Sequence, residues 1–273
     1  PPVDFGRRLK YLLTYPHGCV EQTTSAAFPQ LYIGDVMEPN ARLKAKTDEN
    51  VRAGIARLKS MITADGGFAY WPGQTNSNDW GSSYAGHFYI EAEKKGYLLP
   101  VNWKKNWIDY QKQQARKWSK ADYGYSGYSM LSQAYRLYTL ALAGNAEMSA
   151  MNRLRNEPSL AVYAKWRLAA AYALAGQNSV AQQLVANIAT TDAAPSNEYD
   201  YTYGSEHRNT ALVIETLTEL GLREKATPLV LELAKQLSSE SWMSTQTTAY
   251  SLLAISRFAT DKAFSKDLKF SWS

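Results

Sequence analysis

The chain predicts an all-α fold, an α/α toroid of about six helical hairpins with an inner and an outer ring of helices. Three observations carry this. Long Ala/Leu-rich runs stop at glycines, where a helix C-terminus turns into left-handed backbone. Runs that are apolar almost all round alternate with runs that have one charged and one apolar face. No sustained alternation of β-branched and polar residues marks a strand.

The elements follow in order. "NVRAGIARLKSMI" (50–62) is amphipathic and suits the outer ring. "SSYAGHFYIEAEKKG" (82–96), apolar on most sides and ended by Gly96, suits the inner one. The alternation repeats: "VNWKKNWIDYQKQQARKW" (101–118) outer, "SMLSQAYRLYTLALAG" (129–144) inner, then "YAKWRLAAAYALAG" (163–176) inner. "SVAQQLVANIA" (179–189) and "KATPLVLELAKQL" (225–237) are outer; "RNTALVIETLTELG" (208–221) and "TQTTAYSLLAISRFA" (245–259) are inner. An open superhelix needs polar end repeats. The last run is as apolar as the middle ones, so the ring is expected to close and residues 1–273 to form one domain.

Loops 63–83, 119–129 and 195–208 are rich in Gly, Asn, Asp and aromatics, and each precedes a buried helix. Equivalent hairpin ends gather on one face, so that face is expected to carry an aromatic-lined mouth. The alternative is that the same aromatics only plug the ring.

Composition excludes several classes. The net charge of +5 is spread among nearly as many acids as bases, without the dense basic stripe of a nucleic-acid surface. No run of 18 or more apolar residues exists, so no membrane contact is expected of this domain. The chain opens on "PPVDFGRRLK" and reads as a piece of a longer polypeptide whose address lies elsewhere. Cys19 is the only cysteine and no Asn-x-Ser/Thr acceptor occurs, which leans toward a bacterial origin.

Cys19 lies in "YPHGCVEQTTS" (15–25). A lone cysteine is most often a small buried hydrophobe. It can also be a nucleophile partnered by His17, His87 or His207, although the local signatures of cysteine proteases are missing. A zinc site of a toroidal prenyltransferase or terpene cyclase is a further reading, but the position two before the cysteine is His17 where an Asp is wanted. The fourth is an internal thioester. Side chains three apart on a helical turn are about 5–6 Å apart at Cβ, so the Cys19 thiol can reach the Gln22 side-chain carbonyl and displace ammonia. Gly18 permits the tight turn and Pro16 stiffens its approach.

At these residues the chain resembles a known family. "GCVEQ" is similar to the Gly-Cys-x-Glu-Gln thioester motif of the α2-macroglobulin and complement superfamily, and "EQTTSAAFPQLYIGDV", "DGGFAYW", "SSYAGHF" and "TTAYSLLAI" resemble further elements of its thioester-containing domains. The resemblance implies Cys19 as thiol and Gln22 as acyl donor, with Gly18 and Glu21 completing the motif and no cofactor or metal. It implies a domain of a protease-trapping inhibitor. Cleavage in another module exposes the bond, and a lysine amine of the protease attacks Gln22 in a single turnover, so no enzyme is expected. Partners would be target proteases and neighbouring modules of the same chain. A complement-like opsonin domain is the alternative within the family.

The complement branch uses a histidine about a hundred residues after the thioester, where this chain reads "ADYGYSGYSM". Direct attack by amines in preference to hydroxyls is therefore expected, with His87 and His207 as loop histidines. Tyr15, Trp71, Trp80 and Tyr123 are expected to help shield the bond from water. The resemblance implies protection against host or competitor proteases, and so a place outside the cytoplasm, in the periplasm for a bacterium, with or without a membrane anchor elsewhere.

Overall fold

In the computed structural model, residues 13–36, 38–119, 127–190, 202–239 and 241–260 are described. Among the described residues helices dominate, and extended pairing is limited to two isolated bridges, Ile62 with Phe68 and Ala69 with Ser77. The helices are α1 (Val20–Ala27), continued by a 3₁₀ turn (Phe28–Tyr32), α2 (Ile33–Val36), α3 (Ala41–Lys59), α4 (Asp79–Lys94), α5 (Trp103–Lys117) and α6 (Gly127–Leu142). There follow α7 (Met148–Arg155), α8 (Val162–Leu174), α9 (Asn178–Val185), α10 (Glu206–Glu219), α11 (Arg223–Ser238) and α12 (Thr245–Thr260).

Helices α1, α4, α6, α8, α10 and α12 pack each on the next, and α12 packs back on α1 and its 3₁₀ extension. That last contact closes the ring. Helices α3, α5, α7, α9 and α11 lie outside, each against its inner neighbours. The toroid expected from the alternation of buried and amphipathic runs is the architecture found. Inner helices are buried along most of their length, as in α4, where every residue from Trp80 to Ala92 is inaccessible.

The glycine stops are where expected. Gly96, Gly144, Gly176 and Gly221 all have positive φ after inner helices. At Gly176 the amides of Gly176 and Gln177 reach back to Ala173 and Tyr172, a Schellman closure that satisfies the last carbonyls. Two outer elements differ from expectation. Helix α3 begins at Ala41, because Asn40 caps it through Leu43 N–H at 2.9 Å and ion pairs Lys46–Glu49 and Arg52–Asp48 support a stretch without apolar periodicity. Helix α7 carried no visible signal: eight residues bury only Ala150, Met151 and Leu154.

The ring closes on a buried ionic network. Arg257 of α12 donates to Glu91 of α4 at 2.8 Å and to the Tyr138 hydroxyl at 2.7 Å, and lies 3.2 Å from Glu215 of α10. Arg167 pairs with Glu215 at 2.7 Å, and Tyr32 donates to Glu91 at 2.6 Å. Burial works to raise the Glu91 carboxyl, but Arg257 and further positive charge outweigh it and hold it below the usual range. The first inner hairpins and the last helix are thus joined by charge as well as by packing.

Candidate functional site

Cys19 is the N-cap of α1, with extended backbone, and is only 2% exposed. Gly18 before it has φ +92°, a conformation that a side chain disfavours. A Cβ there would also lie 3.1 Å from both Cβ and Cδ of Gln22, and nearer still to its Oε1. The Gln22 side chain is folded back over the Gly18–Cys19 turn. The Cys19 N–H donates to Gln22 Oε1 at 3.3 Å, so the side-chain carbonyl lies against the turn that carries the thiol.

The turn is held from three directions. Arg57 of α3 grips the Gly18 carbonyl through Nη2 at 2.9 Å and Nε at 3.3 Å. The Val20 N–H, one of the unpaired donors of a helix start, reaches the Tyr70 carbonyl at 3.0 Å. Gly81 lets α4 come close: a Cβ there would be 2.5 Å from Val20 Cγ1. Pro16 is buried near Gly54 of α3. Glu21 is buried, its carboxyl taking a hydrogen bond from Ser25 at 2.8 Å, and Ser25 meets the Tyr84 hydroxyl at 3.1 Å. Burial raises the Glu21 carboxyl and the Ser25 bond opposes it. This motif glutamate ties α1 to α4.

Loop 63–78 runs past the start of α1, and residues 120–126 and 195–201 of the other two aromatic loops lie outside the described residues. In loop 63–78, Asp65 accepts from Thr63 at 2.6 Å, Ser77 at 2.7 Å and Gly67 N–H at 3.3 Å, a brace that sets the course of the following residues. Those residues deliver Tyr70, whose carbonyl takes the Val20 N–H at 3.0 Å. The Cys19 side chain first and that of Tyr203 next, with burial adding, push the Tyr70 phenol above its ordinary range.

Among the residues expected to shield Cys19, Tyr15 is 56% exposed and contributes its carbonyl to the His17 ring at 2.8 Å. Trp71 is 44% exposed and stands edge-on to Tyr70. Trp80 is buried under the Arg208 guanidinium, 5.0 Å from its ring. Tyr123 lies outside the described residues. Tyr70, whose carbonyl takes the Val20 N–H one position from Cys19, is an aromatic that sequence reasoning passed over for the tryptophans beside it. Its signal was its place in "DGGFAYW", between buried Phe68 and half-exposed Trp71.

His87 and His207 are not loop residues. His87 is in the middle of α4, fully buried, its Nδ1 3.0 Å from the Tyr135 hydroxyl, and burial, aided by Arg257, holds its proton affinity well below the ordinary value. His207 is in the first turn of α10. Helix starts at 79 and 206 absorb the segments that read as loop from their polar composition. Among the described residues no group of three or more His, Cys, Asp or Glu side chains is placed to hold a metal ion.

Comparisons with known proteins agree with this architecture. Residues 4–118 match the family model of the A-macroglobulin TED domain. The chain is 37% identical over 106 residues to α2-macroglobulin of Escherichia coli, covering 37% of this chain and 6% of that one. It superposes on the crystal structure of Salmonella α2-macroglobulin reacted with methylamine with a TM-score of 0.81 at 25% identity, covering 94% of this chain and 17% of that one. Against trypsin-activated E. coli α2-macroglobulin the TM-score is 0.72 at 25% identity, over 89% of this chain and 17% of the other. A closed ring of helices whose first inner helix starts at a Gly-Cys-x-Glu-Gln turn, with these matches, makes the chain similar to the TED domains of the A-macroglobulins. Its likeness is to bacterial α2-macroglobulins, of whose length the chain spans a small part.

Proposed function

We propose that Cys19 and Gln22 form an internal β-cysteinyl-γ-glutamyl thioester, and that the chain is one domain of a longer protease-trapping inhibitor. The observation that carries this is the Gln22 side chain folded onto the Gly18–Cys19 turn, with Oε1 on the Cys19 N–H. In a thioester that N–H sits where negative charge grows on the carbonyl oxygen as a nucleophile adds. Burial of Cys19 keeps water from the sulfur side of the stored bond, while Gln22 is exposed in this domain. When the bond is exposed by cleavage elsewhere in the full-length chain, a lysine amine of the protease attacks the Gln22 carbonyl carbon. An amide forms, the Cys19 thiol is released, and the protease stays covalently attached. Nothing regenerates the acyl donor, so the reaction is a single turnover.

Amines are preferred to hydroxyls on this reading. His87 is in the core with Tyr135 as its partner, and His17 bonds the Tyr15 carbonyl. The Salmonella relative reacted with methylamine and the trypsin-activated E. coli relative support amine chemistry and a protease as trigger. A trap of this kind acts outside the cytoplasm, and the periplasm is the proposed location, with neighbouring modules of the same chain completing the cover of the bond.

The test is the intact mass of the native full-length chain with and without methylamine, followed by alkylation of Cys19. A mass short by one ammonia, a thiol silent until methylamine is added, and an adduct on Gln22 support the thioester. Unmodified mass with a freely reactive thiol from the outset refutes it. Glycerol incorporated as readily as methylamine refutes the amine preference.

A further inference from the structure

We propose that Arg57 is a positioning residue of the acyl transfer: its guanidinium, bound to the Gly18 carbonyl, strengthens through one peptide group the Cys19 N–H that faces negative charge on Gln22 Oε1. The inference rests on the thioester reading above and names the cation that acts on its carbonyl from behind the turn.

The geometry is a relay of hydrogen bonds across a single amide. Arg57 Nη2 donates to the Gly18 carbonyl oxygen at 2.9 Å, and Nε to the same oxygen at 3.3 Å. The nitrogen of that amide belongs to Cys19, and its N–H donates to Gln22 Oε1 at 3.3 Å. The Thr23 hydroxyl, 3.5 Å from the Gly18 oxygen, is a more distant and neutral donor. Arg57 is in the last turn of α3, where its own carbonyl takes the Ser60 N–H at 3.0 Å and the Ser60 hydroxyl at 2.6 Å. One turn earlier, Gly54 brings α3 against α1: a Cβ there would be 2.6 Å from Ala27 Cβ. Among the described residues the Arg57 guanidinium makes no ion pair, and its hydrogen bonds go to this one oxygen.

A peptide's carbon–nitrogen bond has partial double-bond character, so charge drawn toward the carbonyl oxygen is drawn from the N–H as well. Hydrogen bonds linked in this way polarise one another. A cation on the Gly18 oxygen therefore makes the Cys19 N–H a stronger donor. Before attack that donor faces a weakly negative thioester oxygen, and after attack an oxyanion. The gain is larger in the transition state than in the ground state, and that difference accelerates addition. The amine lone pair forms the bond to Gln22 Cδ while the carbonyl π pair moves onto Oε1. When the carbonyl re-forms, the C–S electron pair leaves on Sγ, and the proton shed by the nitrogen ends, through solvent, on that sulfur. Arg57 gives up no proton. Water attacking the same carbon passes through the same oxyanion, so hydrolysis is assisted equally.

The experiment compares the full-length chain with Arg57→Gln, which offers the Gly18 carbonyl a neutral donor, and with Arg57→Lys, which keeps the charge. Thioester content is read by intact mass, and thiol release by a chromogenic reagent, with methylamine and in water alone. The thioester carbonyl stretch is read by infrared difference against isotope-labelled glutamine. Losing an oxyanion donor outright costs about a hundred- to a thousandfold in rate. Weakening one costs less, so Arg57→Gln is expected to release thiol about three- to tenfold more slowly with methylamine and with water alike, its carbonyl stretch raised. Arg57→Lys should stay within about threefold of the original rate. If Arg57 only braces the turn, Arg57→Gln loosens the site, and hydrolysis runs at the original rate or faster. That result, or equal rates for Arg57→Gln and Arg57→Lys, overturns the proposal. Where Arg57→Gln accumulates no thioester, Arg57→Lys decides: a thioester reacting near the original rate supports the proposal, and a slower one or none overturns it. Absence of the ammonia-deficient mass in the unaltered chain is a separate result, which removes the thioester reading and this inference with it.

Discussion

Replacing Gly18 with Ala separates the stability of the turn from its chemistry. The backbone there has φ +92°, and holding a residue with a Cβ in left-handed space costs about 1–2 kcal/mol. For a domain of this size that is a fall of a few degrees in Tm. The turn itself survives, because Arg57 holds the Gly18 carbonyl and Val20 N–H stays bonded to Tyr70. The new Cβ, however, would press on Gln22 Cβ and Cδ at 3.1 Å and more closely on Oε1. Gln22 is exposed, so its flexible side chain relieves the contact by swinging outward. That movement adds little to the folding cost but takes the carbonyl away from the thiol. Misplacement of reacting groups by about 1 Å costs on the order of a hundredfold in rate. The expected variant is therefore folded and nearly as stable, with a free Cys19 thiol and Gln22 still an amide. Thermal unfolding and intact mass, measured on the same full-length preparation, test both halves. A Gly18→Ala chain with full thioester content would refute the steric reasoning, and one that fails to fold would refute the claim that the turn is held by its neighbours.

Four other perturbations follow from particular contacts. Arg257→Met leaves the Glu91 and Glu215 carboxylates in the ring without their shared partner; breaking a buried pair costs about 3–5 kcal/mol, and denaturant unfolding showing less than about 1 kcal/mol would deny that this network closes the ring. Burial and Arg257 lower the His87 proton affinity, so below its ordinary value of 6.5 the unfolded chain binds a proton that the folded one cannot. Its contribution is full above that pH and is lost at up to about 1.4 kcal/mol per unit as pH falls; Tm measured from pH 7.5 to 5.5 should slope less for His87→Gln, and parallel slopes would contradict the assignment. Asp65→Ala removes the acceptor shared by Thr63, Ser77 and the Gly67 amide. It should cost about 1–3 kcal/mol and speed hydrogen exchange at Phe68 to Trp71, with unchanged exchange there showing that the brace does not hold the loop. Tyr15→Ala in the full-length chain should speed thioester hydrolysis if Tyr15 contributes cover, and an unchanged rate removes it from the account.

Much of this protein is local and was therefore legible in sequence. The stops at Gly96, Gly144, Gly176 and Gly221 depend only on the freedom of glycine at positive φ. The order of inner and outer helices depends on whether a run is apolar on all sides or on one. The cysteine–glutamine pair depends on three-residue spacing across a helix start, which is a property of backbone geometry. The first half of α3 escaped because it is held by a cap and surface ion pairs without an apolar period, and α7 because its eight residues bury only three side chains. The remaining facts concern residues far apart in the chain. The Tyr70 carbonyl meets the Val20 N–H across 50 positions, where the loop before α4 packs on the start of α1. His87, polar and next to aromatics in sequence, is a core residue only because Phe28 and Tyr135 come to it from other helices. Tryptophans 71 and 80 look alike as neighbours of "DGGF", yet one faces outward and the other lies beneath Arg208. Sequence by itself determined the helices, their two classes and the spacing of Cys19 and Gln22, because these follow from backbone geometry and apolar periodicity. Which side chains surround that pair was decided only by the closed toroid, because packing between distant segments selects the neighbours of each side chain.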